Sequence, residues 1–495
     1  MFGRFAFFRP RGLALAGMLA LAACASPGPQ APLRPLASAK PVDIVPPQAP
    51  KTTGVQTAAA LLRGRLAAQF GGEYSWPPAK RYLNGILARL AAASDKPSQV
   101  YRVTLLDSPI VNAFALPSGD LYATRGLLAL ANDSSEVAAV MAHEIAHVTS
   151  RHAAKREELK RDDDLFQRVA SRFEGPKKAA EVEARSRLSF ASFSRQQEFQ
   201  ADRIGVRTIA KAGFDPYGAA RFLKALERSA ALKASLLGQK AGDEQPDLLS
   251  THPTTPERID RAVQVARQFG APGIGSRGRS AYLAAIDGIT FGDDPDDGLV
   301  AGRTFVHPKL RFAFTAPPGF VLDNYAQAVL GVGGSGADML RLDKVRIPPG
   351  DTLKAYLTSG WMSGVRPASL QSIEVNGLPA AIAKATSGGW SFRFAAIRVG
   401  TDVYRLIFAT RSASMDQDPR FLASIESFRQ LSAEEAANVH PLRLKVVQAA
   451  QGDSVESLAE RMAIAQKPLD DFLLLNGLKH GARLKPGESY KIVTH

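Results

Sequence analysis

The chain has 495 residues, 45% of them hydrophobic and 22% charged. That balance excludes a mostly disordered, collagenous or polytopic membrane protein, and the length is enough for two to four domains. Lys and Arg total 62 against 47 for Asp and Glu, a formal charge of +15, which favours anionic surfaces such as phospholipid or cell-wall polymer. The excess is spread thinly, with no basic tract interleaved with aromatics, so no nucleic-acid partner is expected. A single cysteine, Cys24, excludes an internal disulfide framework, a Cys-rich structural zinc site and an iron–sulfur cluster.

At the amino terminus Arg4, Arg9 and Arg11 precede an apolar run from Leu13 to Leu21, the order of charge then hydrocarbon found in a secretory signal. The run is too short to span a bilayer comfortably. Leu21-Ala22-Ala23-Cys24 resembles a bacterial lipobox, which implies a signal peptide over 1–23 and lipidation of Cys24. Acyl chains contribute about 0.8 kcal/mol per buried methylene, so they would hold the body to a membrane without a transmembrane helix. Ala25 and Ser26, rather than Asp, follow the cysteine. The resemblance then implies a periplasm-facing lipoprotein of the outer membrane. Residues 24–54 are rich in Pro and Ala and read as a tether.

From 55 to 270 Ala, Leu and Arg recur at helical spacing, interrupted by β-like segments at Tyr101–Leu106 and near Phe114. This predicts a mainly α-helical domain with a small sheet. Gly, Pro and Asp then cluster, marking 271–302 as a linker. Over 303–435 alternation appears, as in Leu310–Phe314, Phe392–Phe394 and Tyr404–Phe408. With helical segments at Leu353–Trp361 and Pro419–Phe428, this stretch reads as an α+β domain. Residues 441–495 read strand, helix, helix, strand.

One helix carries chemistry. Val137, Val140, Met141, Ile145 and Val148 form an apolar face, and Asp133 with Glu136 has capping-box spacing. On that helix lies His143-Glu144-Ile145-Ala146-His147. Two histidines one turn apart point the same way and can bind one zinc ion, while Glu144, rotated by about 100°, borders the open position as a general base. A third ligand is expected downstream. Glu198 and Asp202 share a face of a second helix, where Glu198 would complete a His2Glu set and Asp202 would accept the spare N–H of a zinc-bound imidazole. By itself such an acidic pair suits a solvated face equally well. His152, just past the first helix, is expected on the surface.

His143-Glu144-x-x-His147, Glu198-x-x-Ala201-Asp202, and Thr251-His252-Pro253 with Arg258 together resemble the gluzincin zinc metallopeptidases of the HtpX, CaaX prenyl protease and BepA type. The resemblance implies one zinc per chain held by His143, His147 and Glu198, with Glu144 as general base. His252 would stabilise the transition state or occupy the open zinc position, and Arg258 would orient the Glu198 region. Asn112, Ala113, Phe114 and Ala115 resemble the family's substrate-binding edge strand, with Ser118-Gly119 where relatives commonly carry two glycines. The charged stretch Lys155–Asp164 replaces the apolar helices of membrane-embedded relatives and reads as a flap over the cleft.

The tail, with Gly452-Asp453-Ser454, Asn476-Gly477 and Pro486-Gly487, resembles a LysM module, which implies peptidoglycan as a partner. The expected architecture is therefore multidomain: a mainly helical zincin metallopeptidase domain with a small β-sheet, an α+β domain, and a βααβ LysM-like module. The expected activity is zinc-dependent hydrolysis of misfolded or stalled envelope proteins. The alternative is a non-catalytic or latched envelope scaffold that binds peptidoglycan or outer-membrane assembly partners.

Overall fold

In the computed structural model, which describes residues 58–155, 194–237, 252 and 255–495 apart from 326–327, 334–335, 349, 361–364, 412–417 and 465, the helical region is built around one buried helix. Cys24, the tether, 156–164, Thr251 and Pro253 lie outside the described residues. Helices α1 (Ala58–Gln69) and α2 (Pro77–Ala93) lead into a three-stranded sheet. Pro77 and Pro78 open α2, where a missing N–H costs no hydrogen bond. The strands β1 (Arg102–Leu106), β2 (Ala113–Ala115) and β3 (Asp120–Thr124) lie in the order β1-β3-β2, which leaves β2 at the edge. The β2–β3 turn needs only one glycine: Gly119 takes φ +89°, and Ser118 Oγ donates to Asp120 Oδ2 at 2.7 Å.

After α3 (Arg125–Leu130) comes α4 (Ser134–Thr149), which carries the two spaced histidines and is buried along nearly its whole length. Asp133 caps it, accepting from Glu136 N at 3.1 Å. The expected reciprocal bond goes one residue further back, since Glu136 Oε2 accepts from Asn132 N at 2.8 Å. Val137, Val140, Met141 and Ile145 pack with Leu83 and Leu90 of α2. Each such side chain contributes roughly 1.5–3 kcal/mol.

Helices α5 (Arg195–Lys211) and α6 (Gly218–Leu237) pack on α4, and α7 (Pro256–Arg267) packs on α5 and α6. Gly205 lets α5 approach closely, for a β-carbon there would lie 3.2 Å from His143 N. Ser194 and Gln197 form a reciprocal capping box that starts α5 just before Glu198. The stretch expected to be a linker, 271–302, instead contains α8 (Arg279–Ile286). Its Tyr282, Leu283 and Ile286 are buried in the main core, and Tyr282 Oη donates to Leu128 O. These three residues share one helix face, so the segment belongs to the helical body despite its Gly- and Asp-rich ends.

Strand β4 (Thr290–Phe291) precedes the middle region. There β5 (Leu299–Ala301), β6 (Thr304–His307) and β7 (Phe312–Thr315) pair in sequence. The strands β8 (Val321–Tyr325), β9 (Ala328–Gly333), β10 (Asp338–Arg346), β11 (Gln371–Val375), β12 (Leu378–Ser387), β13 (Trp390–Val399) and β14 (Asp402–Thr410) make an antiparallel sheet in the order β11-β12-β13-β14-β10-β9-β8. Helix α9 (Leu353–Leu357) stops short of the expected Trp361, and α10 (Asp418–Glu426) lies close to its expected place. Strand β15 (Arg429–Gln430) joins β7, and Phe305, Phe312, Phe314, Phe408, Phe421 and Phe428 fill a core separate from that around α4.

Past α11 (Ala433–Ala437), the tail runs β16 (Leu442–Gln448), α12 (Val455–Glu460), α13 (Pro468–Leu475) and β17 (Ser489–Thr494), the expected order. Ser454 caps α12 and Gly477, at φ +63°, follows α13. This module is docked on the helical body. Strand β16 pairs with both β17 and β4, and Leu444 and Leu474 enter the same core as Val137 and Val140. Lys491, 0% exposed, donates through Nζ to Ala129 O at 2.7 Å and Ala131 O at 2.6 Å, at the end of α3.

Candidate metal centre

Helix α4 presents His143 and His147, α5 presents Glu198, and the segment before α7 brings in His252. All four are buried. His143 Nε2 lies 3.0 Å from His147 Nε2 and 3.3 Å from His252 Nδ1. Glu198 Oε1 lies 3.0 Å from His252 Nδ1 and 3.4 Å from His147 Nε2. A tetrahedral ion with ligand bonds of about 2.0–2.1 Å has edges of about 3.3 Å between its donors. The spacing of two imidazole nitrogens, a third imidazole and a carboxylate therefore fits zinc. His252 stands at the fourth corner, where a catalytic site keeps room for water or substrate.

The surroundings hold these donors in place. His143 Nδ1 is 2.9 Å from Asp202 Oδ1, which leaves Nε2 directed at the cluster. Arg258 forks onto Asp202, with Nε at 2.7 Å and Nη2 at 2.8 Å, and its Nη1 is 2.9 Å from Glu198 Oε2 and 3.2 Å from His252 O. One guanidinium thus ties Glu198, Asp202 and the His252 backbone together. Thr255 caps α7, accepting from Arg258 N, and sets the arginine's place.

The electrostatics follow from burial and proximity. Burial opposes protonation of His143, but the Asp202 and Glu198 carboxylates outweigh it and push its pKa up to about 10. His147 is driven the other way, to about 2, chiefly by burial. Burial would raise Glu198, yet His143, His147 and His252 hold it well below the carboxylate range. Asp202 is likewise lowered against its burial, by Arg258 and then His143. Glu144 is raised, since burial outweighs the lowering by His252 and His143. Its Oε1 is 3.6 Å from His252 Nε2 and has no hydrogen-bond partner among the described residues.

Beside Glu144 opens a small recess, partly open to solvent. Ala139 and Val140 of α4 and Phe222, Leu223 and Leu226 of α6 line it, with His143, Glu144 and His252 at the cluster end. Strand β2, which packs against α4, holds Ala113, Phe114 and Ala115, and Phe114 stacks on Tyr122 at 4.7 Å between centroids. Asn112 is buried, its N donating to Thr124 Oγ1 at 3.0 Å.

The structure corrects the expectation for His152. It is 0% exposed, and its Nδ1 lies 3.0 Å from His147 Nδ1. Helical spacing misplaced it because Arg151 takes φ +54° after α4 and turns the chain back. The missed signal was a histidine five residues past His147 in a chain with only 8.

Residues 77–266 match Peptidase family M48. The chain is 29% identical over 218 residues to the "Beta-barrel assembly-enhancing protease" of Escherichia coli (strain K12), covering 42% of this chain and 43% of that protein. It is 32% identical over 198 residues to the "Mitochondrial metalloendopeptidase OMA1" of Arabidopsis thaliana, covering 38% of each. It is 28% identical over 193 residues to the protein of the same name from Schizosaccharomyces pombe, covering 37% of this chain and 52% of that one. The chain thus spans about half or less of the length of these curated relatives.

Proposed function

We propose that this chain, with a Peptidase family M48 domain at residues 77–266, is a zinc-dependent endopeptidase that cleaves misfolded or stalled proteins of the cell envelope. The observation that carries the reading is the convergence of His143 Nε2, His147 Nε2 and Glu198 Oε1 beside the buried Glu144. His143, His147 and Glu198 hold the ion. Zinc, when bound, supplies Lewis acidity to the scissile carbonyl and to the attacking water. Glu144 takes a proton from that water and returns it to the leaving amine, a role that suits a carboxyl whose proton affinity is raised by burial. The β2 edge, from Asn112 to Ala115, holds the substrate extended by backbone hydrogen bonds. The recess against Phe222 and Leu226 takes an apolar substrate side chain. Asp202 orients His143, and Arg258 positions Asp202 and Glu198.

His252 Nδ1 at the fourth corner supports a resting, closed site that opens when this residue withdraws. The same observation favours a second reading, a latched scaffold that holds assembly partners. The names of the relatives, one a beta-barrel assembly-enhancing protease, support an envelope role. We further propose that Cys24 is lipidated, facing the periplasm from the outer membrane, and that the βααβ tail is a LysM-like module for peptidoglycan. No helix among the described residues is long and apolar enough to cross a membrane.

The test is casein cleavage by the chain from Ala25, comparing wild type, Glu144→Gln and His252→Ala, with zinc content measured alongside. Cleavage lost in Glu144→Gln with zinc retained supports the peptidase, and faster cleavage by His252→Ala supports the latch. If all three bind zinc and none cleaves, the scaffold reading stands instead.

A further inference from the structure

The centre has a second support that the roles above do not use. We infer that His152 and Gln200 are positioning residues that hold His147 in the tautomer whose Nε2 lone pair faces the cluster. This rests on the reading of the site as a zinc centre. His152 Nδ1 lies 3.0 Å from His147 Nδ1, and His152 Nε2 lies 3.2 Å from Gln200 Oε1 on α5. An amide oxygen only accepts, so His152 carries its hydrogen on Nε2. Neutral His152 then has a lone pair on Nδ1, which accepts the hydrogen of His147 Nδ1. His147 is left with its lone pair on Nε2, the atom 3.0 Å from His143 Nε2. One side-chain carbonyl thereby sets two proton positions and aims a ligand.

The backbone bears this out. Helix α4 ends at Thr149, and Arg151 enters the left-handed region at φ +54°, which residues other than glycine rarely adopt. Arg151 N donates to Val148 O at 3.1 Å, so the chain turns tightly and brings His152 back against the last turn of α4. The two ligand imidazoles are therefore supported differently. His143 leans on a carboxylate, Asp202, whereas His147 leans on a neutral imidazole and amide. The His–Gln chain thus fixes the tautomer from the side of His147 away from the cluster.

The test uses the chain from Ala25 and two readouts that do not depend on cleavage. In a chelator competition, His152→Phe and Gln200→Met, which preserve bulk, are expected to weaken zinc binding by about 10–100-fold. Gln200→Glu, which keeps an acceptor, is expected to bind at least as tightly as wild type. With only 8 histidines, ¹⁵N spectra of the zinc-free chain can assign His147, expected as the Nδ1–H tautomer in wild type and mixed in His152→Phe. Wild-type zinc affinity in both bulk-preserving variants, or loss in Gln200→Glu equal to that in Gln200→Met, would overturn the inference. If the wild type holds no zinc, the metal reading fails by itself. The tautomer spectra then decide the positioning role separately.

Discussion

Replacing Lys491 with Met is expected to loosen the tail from the end of α3, next to the helix that carries His143 and His147. Met fills the same channel but removes the donor to Ala129 O and Ala131 O, at 2.7 and 2.6 Å. Each buried carbonyl left without a donor costs about 1–3 kcal/mol. Against this, the amine no longer has to leave water. That recovery is largest near neutral pH, because burial, with Arg279 adding to it, holds the Lys491 pKa well below the ordinary amine value, and it fades as pH approaches that value. Near that amine value the net loss is about 2 kcal/mol, which at about 2–4 °C per kcal/mol lowers Tm by about 4–8 °C. Scanning calorimetry on the chain from Ala25 measures it. The sign of the pH dependence adds a check. A lowered folded pKa means that the folded chain binds fewer protons than the unfolded one, so wild-type stability rises with pH toward the ordinary amine value. The variant should lack that rise. A Tm within about 1 °C of wild type, with the pH slope intact, would refute the reasoning.

Glu136 gives the opposite sign. Burial, with Asp133 adding to it, raises its pKa to about 7, so the folded chain binds more protons there and stability is lost as pH rises from the ordinary carboxylate range toward 7. Glu136→Gln keeps an acceptor for Asn132 N and should gain on the order of 2 kcal/mol relative to wild type between about pH 5 and pH 8, read by urea denaturation at each pH. Arg258→Met leaves the Asp202 and Glu198 carboxylates buried without their fork and should cost about 3–5 kcal/mol. Arg258→Lys should recover only a minor part, because an ammonium cannot reproduce the fork. Urea midpoints and zinc content of both variants check this, and full recovery by Lys would contradict the geometry.

The parts legible in sequence were those whose chemistry repeats at helical spacing. His143 and His147 one turn apart, and Glu198 and Asp202 one turn apart, fall where their periods place them. What escaped was set by backbone turns and by docking. Arg151 in the left-handed region reverses the direction of His152, and no periodicity carries that information. Residues 279–286 were hidden by their surroundings, although Tyr282, Leu283 and Ile286 have helical spacing of their own. In β17 Tyr490 and Ile492 face the tail's own core, so Lys491 between them reads as a solvent-facing position. It is instead buried against the helical body, a contact between segments about 360 residues apart that strand alternation cannot reveal.

The pairing of β4 with β16 sets Phe291 directly opposite Leu442. The polypeptide leaves the helical body at one of these residues and returns at the other, so the 150 or so residues between them begin and end at a single seam. Antiparallel neighbours can be joined by a connection of two to five residues. A short splice across that seam would therefore keep the three-stranded sheet whole, along with the tail's docking and the path from Lys491 to α4. In evolutionary terms the middle domain is a passenger: a gene could acquire it, exchange it or lose it at one point without breaking the sheet that joins the tail to the helical body.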